Sequence, residues 1–219
     1  METKGGRRRM SLLKSTFKLI LGSSSMARRQ ILSDMGYEFS IMTADIDEKS
    51  IRKEKPEELV MALAEAKADA VISRLQARHE ELSESNSPPT LLITADTVVV
   101  YNGVIREKPS NKDEARKFVR ADYSGSHGSV VGSVLVTNLK TGYRNGGWES
   151  AEVYFYEIPD HIIDSLIEDG VTLNVAGGLM LEHPLTLPFV DSVVGTVDCV
   201  MGLSKRLTER LIRDALQVP

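Results

Sequence analysis

The apolar run from Phe17 to Leu21 breaks off at Gly22 and three consecutive serines. From Met26 to Met35 apolar side chains then recur at helical intervals up to Gly36, which predicts a buried strand feeding an amphipathic helix. "YEFSIM" (37–42) alternates and predicts a second strand, followed by the acidic turn "ADIDEKS". Pro56 stands at a favourable helix start. Beyond it Leu59, Val60, Leu63, Ala66, Ala70, Val71 and Leu75 keep helical spacing, giving a long helix to about Arg78. "HEELSESNSPPT" (79–90) is polar, ends in two prolines and reads as a surface loop.

"LLITADTVVVYNGVI" (91–105) reads as two apolar strand segments broken by Asp96, with a hairpin turn at Asn102-Gly103. A helix is predicted over Lys112 to Arg120. The stretch 127–158 reads as long antiparallel strands turning around Thr141-Gly142 and Asn145 to Gly147. Helices from Pro159 to Glu168 and from Leu203 to Leu216 complete the pattern. Strands alternating with helices, joined to an antiparallel ribbon, predict an α/β fold: a mixed twisted sheet with helices on both faces.

Composition narrows the function classes. The chain has 219 residues, 42% hydrophobic and 26% charged, as expected for one sizeable globular domain. A net charge of −4 argues against a nucleic-acid binder held by a general basic field. No apolar run approaches ~18 residues, so no transmembrane helix is expected. The single cysteine, Cys199, cannot form an internal disulfide, which points to a reducing compartment. Residues 1–16 are basic and read as a disordered tail, with a transit peptide as the alternative reading; residues 17–219 form the single domain.

Several residues stand where chemistry is feasible. A helix N-terminus presents unpaired amides, and Gly22 permits close backbone approach. Ser23, Ser24 and Ser25 add hydroxyls, while Arg28 and Arg29 can grip an oxyanion in a forked geometry. Together they fit a phosphate cradle, although a serine cap with two solvated arginines has the same pattern. Asp96, dropped into an apolar strand, is costly to bury unless a cation or lysine meets it, and suits divalent-metal binding or water activation. "DIDEK" (45–49) offers hard-cation ligands, Lys67 sits in the alanine-rich run "LAEAKADAV", and Lys108 precedes Pro109. The histidines lack zinc-ligand spacing, and neither a GxSxG nor a Walker A loop is present.

These segments, taken in order from about Lys18 to Leu216, resemble the Maf family of nucleoside triphosphate pyrophosphatases. "LILGSSSMARRQIL" is similar to the family's Ser-x-Ser-x-x-Arg opening, "DIDEK" to its acidic turn and "LAEAKA" to its helical lysine motif. "ITADTVVVYNGVIREKP" resembles its most specific block, "YSGSHGSVVGSVLV" its histidine strand entry, and "VAGGLMLEHP" and "DCVMGLS" its later segments. The resemblance implies the elongated, two-lobed inosine-triphosphatase-like fold. It further implies hydrolysis between the α and β phosphates to a nucleoside monophosphate and pyrophosphate, dependence on Mg²⁺ or Mn²⁺, a homodimer and a cytoplasmic location. Non-canonical or modified nucleotides are the implied substrates, of the dTTP/UTP/CTP or 7-methyl-GTP type.

By position, the resemblance makes Asp96 a general base or metal ligand and Glu48 a metal ligand. Lys67 and Lys108 join Asp96 as catalytic residues. Ser23, Ser25, Arg28, Arg29, Thr97 and Glu182 are substrate-binding by the same carry-over. Arg28-Arg29 and Glu182 match the 7-methylguanosine subgroup, whereas Asp96-Thr97 matches the thymidine/uridine one. Met26-Ala27 and Ser204 depart from the family's prolines and arginine, and the "AGGLMLEHP" block is altered. The altered block and Ala27 keep open a nucleotide-binding regulatory module, for example one in cell division, with weak or no catalysis; a nucleotidyltransferase using the same cradle is a third reading, which requires a second substrate to accept the nucleotidyl group.

Overall fold

The computed structural model describes residues 17–43, 45–77 and 88–217. The basic tail (1–16) and most of the polar loop (79–90) lie outside the described residues; Thr90 already opens a strand.

The elements in chain order are β1 (Lys18–Leu21), α1 (Met26–Asp34), β2 (Ser40–Ile41), α2 (Pro56–Ala77), β3 (Thr90–Tyr101), β4 (Val104–Arg106), α3 (Lys112–Lys117), β5 (His127–Asn138), β6 (Arg144–Phe155), α4 (Asp160–Asp169), β7 (Val190–Val194), α5 (Val197–Val200) and α6 (Lys205–Gln217). Among the described residues the strands form one sheet in the order β2-β1-β3-β5-β6-β7, with β4 also on β3. β1 is parallel to β2 and β3, and the remaining pairs are antiparallel. The expected mixed sheet with helices on both faces is what forms.

Side-chain alternation along β3 sorts the core. Leu91, Ile93 and Ala95 face α1 and α6, where they meet Leu32, Leu207 and Leu211. Leu92 faces α2, against Ala64, Ala68 and Leu75, and Val98 packs on Leu59, Val60 and Leu63. Each helix therefore covers one face of the same long strand.

Four sequence expectations are corrected. β3 is not broken at Asp96: the strand is continuous because Asp96 keeps register with Ser133 of β5, whose hydroxyl accepts from the Asp96 N–H at 3.2 Å. Asp96 thus sits inside the strand rather than at its end. Asn145 to Gly147 form no turn but lie in β6, where Gly146 admits Leu135 and Met61 so closely that a Cβ would collide with both. The second strand shrinks from 37–42 to Ser40–Ile41, the residues that pair with β1. The helix expected over 112–120 is α-helical only to Lys117 and widens into a π-helical turn over Phe118–Tyr123. β7, α5 and the short 3₁₀ turns over 171–178 and 187–189 carry no strong periodicity and were not anticipated.

Candidate active site

β3 has one edge that opens in its middle. β1 pairs with it from Thr90 to Ile93, and the Gly22 N–H still reaches the Ile93 carbonyl at 2.7 Å. β4 takes over only at Val99. Between them, Thr94 to Val98 present an edge to which no strand pairs among the described residues. The chain leaves β1 on one side of this gap through Gly22–Ser25 and leaves β4 on the other through Glu107–Pro109. Open sheets characteristically take their ligands at such divergences.

Gly22 is required here for a reason other than a ligand. A Cβ at this position would lie 2.6 Å from Thr94 Cγ2 and 3.3 Å from the Ile93 carbonyl, so the close approach is to β3 itself. Ser25 caps α1, its hydroxyl accepting from the Arg28 N–H at 3.4 Å. The buried Ser23 hydroxyl accepts from the Ser25 N–H at 3.2 Å and from Arg28 Nη1 at 3.2 Å. Arg28 also donates from Nη2 to Thr97 Oγ1 at 2.9 Å and from Nε to the Gly202 carbonyl at 2.9 Å. Desolvation lowers the affinity of this guanidinium for its proton, against which the charges of Asp96 and Glu48 act. Gly202 at φ 100° makes room: a Cβ there would lie 3.1 Å from Thr97 Oγ1 and 3.4 Å from Arg28 Nε. Three partners from separate segments, Ser23, Thr97 and Gly202, thus hold one guanidinium in a fixed pose.

The opposite face of the gap carries the charged centre. Lys67, on the inner face of α2, is only 9% exposed, so its ammonium needs acceptors. It finds Asp96 Oδ1 at 2.5 Å and Glu48 Oε1 at 2.9 Å. Glu48 sits in the 3₁₀ turn Glu48–Ser50, capped by Asp47. Burial would raise the Glu48 carboxyl, but hydrogen bonding and charge from Lys67, with Lys108 and Arg28 adding to them, hold it below its ordinary 4.5. Ser133 locks the register from beneath, donating to the Val60 carbonyl of α2 at 2.7 Å while accepting from Asp96.

Ser23, Arg28 and Thr97 are therefore brought together on one face, and Glu48, Lys67 and Asp96 on the other. Lys108 is exposed but near enough to act on Glu48 through its charge. Two expected residues stand apart. Arg29 turns away to Met26, its Nη1 3.7 Å from Sδ. Glu182 is exposed and, among the described residues, makes no hydrogen bond or ion pair to this cluster. Gly202 and Ser133 are not singled out by the sequence; their signals are a glycine following an apolar turn and a hydroxyl set between apolar residues of β5. Ser204, which stands where proline was expected, donates to Glu149 at 2.6 Å and accepts from the Leu207 N–H at 3.1 Å, thereby capping α6.

Next to Thr97 on its own face lies an apolar pocket with about 40 Å³ of room, walled by Val99, Val130, Val153, Leu181, Val200 and Tyr123 among others.

Comparison with known proteins agrees with this architecture. The family model described as "Maf-like protein" matches residues 18–215. A 7-methyl-GTP pyrophosphatase of Dictyostelium discoideum is 40% identical over 199 residues, which cover 91% of this chain and 98% of that protein. A dTTP/UTP pyrophosphatase of Alkaliphilus metalliredigens is 33% identical, covering 85% and 90%. A nucleoside triphosphate pyrophosphatase of Salinispora tropica is 30% identical, covering 90% and 83%. On the extent of that family match and of these alignments, the chain belongs to the Maf family.

Proposed function

We propose that this chain hydrolyses nucleoside triphosphates to a nucleoside monophosphate and pyrophosphate. The observation that carries the reading is the divided cation set at the open edge of β3, with Arg28 held on one side and Lys67 on the other, 2.5 Å from Asp96. A triphosphate laid across the gap meets the guanidinium, the ammonium of Lys67 and the exposed ammonium of Lys108, and phosphoryl chemistry depends mainly on such positioning and charge neutralisation. Names borne by the aligned relatives point to the same reaction.

In this reading water attacks the α-phosphorus. A new P–O bond forms there, the bond to the β-phosphoryl oxygen breaks, and the electron pair leaves with pyrophosphate. Asp96 keeps Oδ1 on Lys67, and Oδ2 accepts the proton of the attacking water. Lys67 fixes the rotamer of that carboxylate and offers positive charge to the bridging region.

The donor set also fits a hard divalent ion such as Mg²⁺ or Mn²⁺. Glu48 and Asp96 already share one cation, the Lys67 ammonium, at hydrogen-bond distances. Among the described residues no group of three or more His, Cys, Asp or Glu converges on a metal position. Two carboxylates completed by phosphate oxygens and waters is the arrangement Mg²⁺ favours. When bound, the ion would add charge neutralisation on the triphosphate, with Glu48 as its protein ligand, joined by Asp96 where that carboxylate acts as ligand instead of base. Removal of divalent ions with a chelator, then restoration, tests that part.

The reading extends to a homodimer and to clearance of non-canonical or modified nucleotides, supported by the family resemblance. No helix among the described residues is long and apolar enough to cross a membrane. Pyrophosphate release from dTTP, UTP, CTP, 7-methyl-GTP and ITP tests the function directly. Tight triphosphate binding without turnover would favour a regulatory nucleotide binder instead, and a conjugated nucleotidyl product would favour a transferase.

A further inference from the structure

Arg52 is neither a member of the cation set that meets the triphosphate nor a partner of Asp96, yet it joins the Glu48 turn to the Lys108 segment. It follows the 3₁₀ turn Glu48–Ser50 by two residues and bends back over it. Its Nη1 donates to the Ile51 carbonyl at 2.9 Å and to the Glu48 carbonyl at 3.4 Å. Cationic side chains satisfy the carbonyls at the end of a helical turn in this way. The same Nη1 reaches Glu107 Oε1 at 3.3 Å, on the segment that leaves β4. One guanidinium nitrogen therefore ties the turn that carries Glu48 to the residue that precedes Lys108.

The other anchors of the Lys108 segment come from elsewhere. Arg106 places Nε on Asp122 Oδ2 at 2.7 Å and its guanidinium 5.1 Å from the centre of the Phe118 ring. The Glu107 carbonyl accepts from the Gly177 N–H at 3.0 Å. Pro109 is buried against Gly178, where a Cβ would lie 3.0 Å from the proline Cγ. Glu114 accepts from the Ser110 N–H at 2.7 Å and from its hydroxyl at 2.6 Å. None of these partners belongs to the Glu48 turn. Ile51 and Ile105 pack on one apolar cluster, which sets the turn beside β4. Among the described residues, Arg52–Glu107 is the ion pair that joins the turn to the Lys108 segment.

The side chains of this pair are 53% and 42% exposed, so it adds little to the stability of the fold. Its value is positional. Among the described residues Lys108 makes no hydrogen bond or ion pair of its own, so its ammonium lies where the backbone next to Glu107 puts it. Resting on the function proposed above, we infer that Arg52 is a positioning residue: through the Glu48 and Ile51 carbonyls and the Glu107 carboxylate it sets Lys108 opposite Glu48 for the triphosphate. Glu107, an anion beside an anion-binding slot, then favours triphosphate binding instead of opposing it.

The sign of the Glu107 effect is the test. By charge alone, Glu107→Gln removes a negative group beside the phosphates and tightens their binding. As the anchor of Arg52, the same carboxylate should be missed: calorimetry with inorganic tripolyphosphate in Mg²⁺ should show binding about 3-fold weaker. Arg52→Ala also loses the two carbonyl contacts and should weaken binding about 10-fold. The double variant Arg52→Ala/Glu107→Gln should bind no more weakly than Arg52→Ala, because both changes break one tie. In pyrophosphate-release assays these variants should raise KM by similar factors, with kcat within about 2-fold of wild type and unchanged melting temperatures. Tighter or unchanged binding by Glu107→Gln, losses that multiply in the double variant, or losses matched by unfolding overturn the inference while leaving hydrolysis intact. Wild type that neither binds tripolyphosphate nor releases pyrophosphate overturns the functional reading with it.

Discussion

Lys67 is the residue on which the site turns. In sequence it is one lysine in an alanine-rich helix, four residues from both Leu63 and Val71 and so near the apolar stripe, but nothing there says what would receive its charge. The structure buries it and surrounds it with Glu48 and Asp96, so its charge is a fixed part of the site. The effect on Glu48 is measurable. Because its carboxyl is held below 4.5, the folded state binds fewer protons there than the unfolded chain does. The stabilisation is therefore present above 4.5 and is lost as pH falls through the lowered folded value. A carboxyl titration followed by NMR in metal-free protein should place the Glu48 midpoint below 4.5, and Lys67→Met should move it upward. An unchanged midpoint would show that the ammonium does not hold this carboxylate. Lys108 behaves differently because it is exposed. Lys108→Ala should lower kcat/KM by about 10²-fold with an unchanged melting temperature, since in the proposed function its charge serves the triphosphate rather than the fold. A loss of activity matched by unfolding would contradict that role.

At the scale of elements, the long helix and the strand cores were legible because hydrophobic periodicity reports burial directly. Leu59, Val60 and Leu63 mark the inner face of α2 in sequence as they do in the structure. The continuity of β3 was not legible. A carboxylate in an apolar run reads as an interruption unless Ser133 and Lys67, both distant in sequence, are known to receive it. The open edge between β1 and β4 was hidden for the same reason, since it is a property of pairing rather than of any local pattern. Of the site, the serines, Arg28, Glu48, Lys67, Asp96 and Lys108 were identifiable, while the Gly202 carbonyl and the pocket around Tyr123 depend on tertiary contact. The β1–β3 seam itself can be tested. Gly22→Ala forces a Cβ to within 2.6 Å of Thr94 Cγ2. We expect a cost of about 1–3 kcal/mol in denaturant unfolding, with weaker triphosphate binding because the Ser23–Arg28 loop shifts. Unchanged stability would mean that the seam yields freely.

For the molecule as a whole, the sheet serves as a partition with a slot in it. α1, α6 and the Gly202 turn build the guanidinium side, and α2 with the Glu48 turn builds the carboxylate side. Among the described residues the two sides meet where one edge of β3 has no paired strand, and that slot is where the proposed function lays the triphosphate. The most direct measurement is pyrophosphate release by wild type and Asp96→Asn from dTTP, UTP, CTP, 7-methyl-GTP and ITP with Mg²⁺ or Mn²⁺. The account predicts release of pyrophosphate with the matching nucleoside monophosphate from at least one of these by wild type, falling by about 10²-fold or more in Asp96→Asn. Wild type that releases no more than Asp96→Asn from every substrate would contradict it.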